Sequence, residues 1–351
     1  MALEQWIKKH VVVLYVPSYE FFNSLHVLGH PEHHTTRLNW VEETLNALPS
    51  HLLSELEYFK VLSNEYLDIM DALEPWCTPL YDSVEAGIEQ IETLPLEKFV
   101  ATMLGPNFHP HKVSAWLNGE RDELFHQLKP EHREMINHPL TTKARFIDFL
   151  HQYLPYFQKE QRRIEPWLIR AVYEAQERIE KEPVKFMEEI HPRLRLHDYY
   201  LEFHKYKTFR FAYQDLQQVY IKPSTFVSPH LLLGIYTERL SVALLIDVPG
   251  TTEKKSIPAD FIRTMKALSD STRVSIFKSL LGHPYCIQQL ADLHGVSEPA
   301  VSKHIKLLAE AELIWGERRG HYVFYKGIPS RLEMFTVDIH QFLDMPDPNS
   351  G

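Results

Sequence analysis

Apolar residues recur at three- and four-residue intervals through most of positions 18–206, the period of helices that bury one face. The spacing predicts helices over Tyr19–Leu28, Thr36–Leu48, His51–Phe59, Ser83–Thr93, Leu96–Met103, Asp122–Leu128, Thr142–Leu154 and Ile164–Lys181. Several stop against Pro49, Pro95, Pro155 or Pro183, where the ring removes a donor and bars the preceding residue from helical angles. From 207 the period shortens. Lys207–Tyr213, Gln218–Ile221, Leu232–Tyr236 and Ser241–Val248 are aromatic and branched segments between Pro, Ser and Gly, and they predict an antiparallel meander. The β-branched run His10–Val16 is a further short strand, suited to complete that sheet.

A polar, turn-rich stretch at 251–257 marks a linker. Beyond it the pattern predicts helices at Asp260–Leu268, from the capping cluster Ser269-Asp270-Ser271 to Gly282, at Ile287–His294, and from Ser297-Glu298-Pro299 onward, with Ser297 as cap and Pro299 in the first turn. Strands at Leu313–Glu317 and His321–Lys326 flank Arg318-Arg319-Gly320, and Ser330–Leu343 reads as a last amphipathic helix. The fold expected is α+β: a mainly helical N-terminal domain with a small antiparallel sheet over 1–250 (helical 18–206, β meander 207–248), then a winged helix-turn-helix with a C-terminal helix over 258–351.

The helix pair at 287–308 has helix-turn-helix spacing: a small Ala291 where helices cross, Gly295 for a positive-φ turn, and Val301 returning to the core. On a wheel with Val301 at zero, Ile305 falls at about 40° and Leu308 at about 340°, while Pro299, Ser302, Lys303 and Lys306 fall between about 100° and 200°. That second face is the one a recognition helix presents to the major groove. His304, near 300°, is weighted toward packing over base contact. Arg318, Arg319 and His321 sit at a turn from which guanidinium groups reach phosphates or the minor groove.

These residues carry a resemblance. Ala267-Leu268-Ser269-Asp270-Ser271-Thr272-Arg273, Gln289-Leu290-Ala291, Val296 through Ile305, and Gly320-His321-Tyr322-Val323-Phe324-Tyr325 follow one another as in the ArsR family of winged-helix repressors, over about residues 258–328. The resemblance implies a cytoplasmic homodimer on an imperfect palindrome of double-stranded DNA, responsive to a small-molecule effector, with its dimer built from helices 260–268 and 330–343. The N-terminal part is similar to an uncharacterised extension found in some such regulators, which implies no known activity. Many relatives bind soft metals through a Cys-x-Cys pair, but here Cys286 is followed by Gln288 where a second thiolate would stand. A second family site matches only at Asp338-x-His340, its downstream partners missing. No metal and no cofactor are therefore expected.

Composition changes the picture in few places. Two cysteines, Cys77 and Cys286, do not make a disulfide scaffold. No apolar run of about eighteen residues exists, so no spanning helix is expected, and the first ten residues lack the order of an export signal. Twelve glycines and no phosphate loop, nucleophile elbow or zinc-protease motif leave no catalytic residue to name. An enzyme in the N-terminal domain with an auxiliary DNA-binding tail is the alternative, favoured by converging carboxylates or a perturbed pair of acids. His26, His30, His33 and His34 have the local density of a metal site, weighed against a surface or hydrogen-bonding role. Trp40, Tyr58, Trp76, Trp116, Trp167, Tyr199 and Tyr200 suit a ligand pocket or, more simply, a core. Net charge is −10, yet residues 261–330 hold nine Lys or Arg against six Asp or Glu, so the acidity lies outside the winged helix. The function expected is a sequence-specific DNA-binding transcriptional repressor, not an enzyme, reading bases through Ser302, Lys303 and Lys306, anchored by Arg318 and Arg319, with Ser297, Pro299 and His321 at the margins.

Overall fold

The computed structural model describes residues 3–73, 83–204, 208–228, 231–235, 238–248 and 259–329, with 331, 332, 335, 336 and 339 beyond. Trp76, Cys77, the linker 251–257, Asp338, His340 and most of the last helix lie outside the described residues. The chain is mixed α+β and divides into two compact units, Met1–Glu202 with Arg210–Lys254, and Phe203–Phe209 with Lys255–Gly351.

The first unit runs α1 (Leu3–His10), β1 (Val11–Val13), α2 (Pro17–Gly29), α3 (Leu38–Ala47), α4 (Ser50–Leu62), α5 (Val84–Thr93), α6 (Leu96–Leu104), α7 (Pro110–Leu117), α8 (Glu123–Gln127), α9 (Pro130–Asn137), α10 (Pro139–Lys181) and α11 (Pro183–Glu189). Strands follow: β2 (Leu194–Leu196), β3 (Tyr200–His204), β4 (Thr208–Ala212), β5 (Gln218–Ser224), β6 (Leu233–Ile235) and β7 (Arg239–Leu245). Every residue of α2 is buried, and Phe21, Phe22, Leu25 and Val27 are completely so. Around it packs one aromatic core that includes Phe59, Phe99, Trp116, Phe146, Phe149, Tyr153 and Phe157.

Three expectations are corrected. The helix predicted to stop at Pro155 continues: α10 spans 43 residues with Pro155 and Pro166 inside it. Each interior proline costs about 3 kcal/mol. Burial of Phe146, Phe149, Leu150, Tyr153, Leu154 and Phe157 around the first of them contributes roughly 1.5–3 kcal/mol per side chain, so packing wins. Residues 194–204, expected to be helical, hold β2 and the whole of β3. The sheet is also not an antiparallel meander. Strand order is β1-β5-β7-β6, with β1 parallel to β5, β5 parallel to β7, and only β6 antiparallel to β7. β4 belongs to a separate sheet ordered β2-β3-β4. The long helical excursion between β1 and β5 supplies the crossover that a parallel pair requires.

The second unit contains α12 (Ala259–Leu268), α13 (Ser271–Gly282), α14 (Ile287–His294), α15 (Glu298–Glu310), β8 (Ile314–Arg319) and β9 (Tyr322–Gly327). Its core gathers Ile276, Phe277, Leu280, Leu290, Val301, Ile305, Leu308, Leu313 and Ile314. β8 and β9 form an antiparallel hairpin in which Arg319 faces Tyr322. Phe261 of α12 meets Phe335 with ring centroids 5.5 Å apart, bringing together the two segments that the family resemblance assigns to a dimer interface.

Candidate nucleic-acid interface

The interface is built from the second unit's core outward. Asp270 caps α13, its carboxylate accepting from the Arg273 N–H at 2.9 Å. The Arg273 guanidinium donates to the carbonyl of Ala267 at 2.8 Å and of Lys266 at 2.9 Å, which ties the end of α12 to the start of α13. α14 ends at Gly295 with φ 63°, the left-handed turn its sequence position requires. α15 then crosses it with Val301, Ile305 and Leu308 buried.

The opposite face of α15 is open. Ser297, Glu298, Pro299, Ser302, Lys303 and Lys306 are all exposed. Lys306 lies 3.8 Å from Glu310, a solvent-facing pair one turn on. Ser297 is the N-cap residue, but its side chain makes no capping hydrogen bond, contrary to the expected role. Its hydroxyl is thus not committed to α15's backbone. His304 is half-buried with Nδ1 3.9 Å from Asp270, so it belongs to the packed side. An open recess of about 620 Å³ lies where α14 and α15 begin, lined by Ile287, Glu298, Pro299 and Ser302.

The wing turns at Gly320, φ 64°, with Arg318, Arg319 and His321 exposed. Arg319 pairs with Glu317 at 2.9 Å, while Arg318 Nε donates to the Gly320 carbonyl at 3.5 Å. Tyr325 packs on the core, whereas Tyr322 is exposed. Cys286 is a buried free thiol.

The first unit has its own polar interior. Glu20, completely buried on α2, accepts from the Thr225 N–H at 2.8 Å and the Thr225 hydroxyl at 2.6 Å. Burial pushes its carboxyl above the usual range, against the bonds from Ser224 and Thr225. Next to it Arg37 stacks on Phe226, 4.1 Å from the ring centroid, and is ion-paired with Glu160. Burial works against the Glu160 charge, but Arg163 and Arg37 hold its pKa below the usual value. Arg37 Nε and Nη1 are buried without an acceptor. Two acids shifted in opposite directions are the pattern that acid–base chemistry uses, yet both carboxylates are withdrawn from solvent and held by internal donors.

The four histidines are buried, not at the surface. His26 Nδ1–H donates to the Glu65 carbonyl, His34 Nδ1–H to the Ser228 carbonyl, and His30 Nε2 lies 2.9 Å from the Glu65 carboxylate. Burial lowers His26 to about 4 and His34 well below its usual value. Asn64, Glu65 and Tyr66 all have positive φ, at 46°, 61° and 67°, a strained run that aims Glu65 at the end of α2. Among the described residues the four rings do not by themselves bring three ligand nitrogens within 4.8 Å of one another. Of the aromatic candidates, Trp116 is core, Trp40 and Tyr58 pack against it, and Trp167 and Tyr199 are exposed.

Residues 2–244 match the model of a family of unknown function, DUF5937. Residues 270–314 match the model of bacterial regulatory proteins of the arsR family. The HTH-type transcriptional repressor SmtB of Mycobacterium tuberculosis is 32% identical over 74 residues, 21% of this chain and 55% of that protein. The transcriptional repressor SdpR of Bacillus subtilis is 35% identical over 60 residues, 17% of this chain and 67% of that protein. The chain therefore spans about 55% of the length of the first of these curated relatives. A solved ArsR-like transcriptional regulator from Rhodococcus sp. RHA1 is 24% identical, covering 24% of this chain and 81% of its own, with a TM-score of 0.24. No described helix is long and apolar enough to cross a membrane. By the match over most of its length the chain belongs to the family of unknown function DUF5937, and it carries an arsR-family helix-turn-helix at residues 270–314.

Proposed function

We propose that the protein is a sequence-specific DNA-binding transcriptional repressor, acting in the cytoplasm as a homodimer on an imperfect palindrome, with the DUF5937 unit sensing an effector. The observation that carries this reading is the exposed face of α15, Ser302, Lys303 and Lys306, held on a buried Val301–Ile305–Leu308 stripe beside a wing that presents Arg318 and Arg319. Ser302, Lys303 and Lys306 contact base edges, Arg318, Arg319 and His321 contact the backbone, and Ser297 and Pro299 flank the entry of α15 into the groove.

Selection of duplexes from a random pool, followed by titration over salt, tests it. Arg318→Ala and Arg319→Ala are expected to weaken binding to every sequence and reduce the salt slope by about one each. Ser302→Ala and Lys303→Ala are expected to change which sequences are preferred. Equal losses on selected and random duplexes for all four variants overturn the assignment of roles, and no binding to any duplex overturns the function.

A further inference from the structure

Among the described residues that line the recess where α14 and α15 begin, Glu298 carries the acidic side chain. It is exposed, among the described residues no ion pair or hydrogen bond engages its carboxylate, and it shares a helix face with Ser302 four residues on. An acid in a first helical turn is favoured by the helix dipole, which by itself explains its local tolerance. At this place it also has a cost. The first turn of a helix laid in the major groove sits nearest the base edges, and a carboxylate there repels phosphates and weakens binding to all sequences.

That cost is offset where the carboxylate meets a donor. The major-groove edges offer amino donors on cytosine N4 and adenine N6, and the carboxylate pairing that geometry favours is with cytosine N4. A guanine edge offers only acceptors, O6 and N7, which an ionised carboxylate cannot use and against which it is repelled. We propose that Glu298 is a specificity-determining residue that accepts from the N4 amino group of a cytosine in each half-site and rejects guanine at that position, with Ser302 contacting the neighbouring base. This rests on the DNA-binding reading above and adds to it a residue whose effect is discrimination at the expense of affinity.

The experiment uses the full chain and duplexes selected from a random pool by wild type, Glu298→Gln and Glu298→Ala. Wild type is expected to select cytosine at one position per half-site, with about a tenfold loss on replacing that C·G pair by G·C. In Glu298→Gln, whose amide also donates, that loss is expected to vanish or move toward adenine, and binding to random duplex is expected to strengthen with loss of the negative charge. Far-UV circular dichroism and melting of the variants show that the fold is retained, and the conservative Glu298→Asp separates reach from charge by keeping the rejection of guanine. If wild type and Glu298→Gln select the same sequence with the same penalties, Glu298 is a dipole residue and this proposal fails while the DNA-binding reading stands. If wild type retains no sequence at all, the DNA-binding reading has failed first.

Discussion

The Nδ1–H of His26 donates to the backbone carbonyl of Glu65 at 2.8 Å, which fixes the tautomer of a buried ring in the interior of the DUF5937 unit. Glu65 lies in the strained run Asn64–Tyr66, and its carboxylate also meets His30. The structure therefore invests backbone strain in keeping a neutral imidazole where a charged one is unfavourable.

Acidification should unfold this unit from within. His26 titrates near 4 when folded against a usual 6.5, so below about pH 6.5 the unfolded chain binds the proton first. Stability from this group is complete above pH 6.5 and is lost as pH falls toward 4, on the order of 3 kcal/mol. His34 shifts in the same direction, from burial and its histidine neighbours. Urea denaturation of wild type and His26→Gln between pH 7.5 and 4.5 checks this: the variant is expected to be less stable at neutral pH and to show a shallower loss. Parallel curves would remove His26 from the account.

Glu20 acts with the opposite sign. Its folded pKa is raised by burial, so the folded state holds a proton that the unfolded chain releases as pH rises through the usual carboxyl range. Wild-type stability should therefore fall relative to Glu20→Gln as pH rises from 5 to 8, because the amide keeps an acceptor for the Thr225 N–H and hydroxyl without a charge. A stability difference between the two proteins that stays constant across the whole range contradicts this.

Breaking the Arg37–Glu160 pair is expected to be expensive. Arg37→Met removes one of two guanidinium partners from a buried carboxylate, with an expected loss of about 3 kcal/mol. Because Arg37 also leaves two buried N–H groups unmatched, the double variant with Glu160→Met is expected to recover part of that loss. Chemical denaturation of the four proteins in a cycle measures the coupling, and strict additivity would show that the pair does not act as one.

Gly327 ends the wing hairpin where a Cβ would come within 3.0 Å of the Leu281 backbone nitrogen on α13. Gly327→Ala should cost about 1–3 kcal/mol in the winged helix and leave the acid profile of the first unit unchanged. Melting followed by tryptophan fluorescence and circular dichroism distinguishes the two units; an unchanged transition of the winged helix would mean the strand moves aside freely.

The second unit was largely readable because its determinants are local. Gly295, the Val301–Ile305–Leu308 spacing and the Asp270 cap each act within one or two helical turns. The first unit hid its organisation in distant partners. Nothing near Val11–Val13 tells that its neighbour is Val219–Ile221 in parallel, since an apolar run reads alike in either direction. Pro155 is a stop signal by local rules and is overridden by aromatic packing along α10. Glu20, Arg37 and Lys222 read as surface residues by type, yet all are at most 3% exposed. The histidine density was visible, but not the left-handed Glu65 that pairs with it.

The parallel pairing of β1 with β5 and β7 also constrains the order of events during synthesis. The partners of Val11–Val13 emerge some two hundred residues later, and β5 gains its second neighbour only with Arg239–Leu245. At about 5–20 residues per second the helical layer leaves the ribosome well before its sheet can close, with β1 lacking its partner in the interval. A nascent chain or expression fragment ending before 245 therefore exposes a bare strand edge and invites aggregation, whereas one ending just after Val248 can close the sheet. The winged helix is encoded downstream of Val248, so the sheet of the first unit can close before α12 to β9 are synthesised.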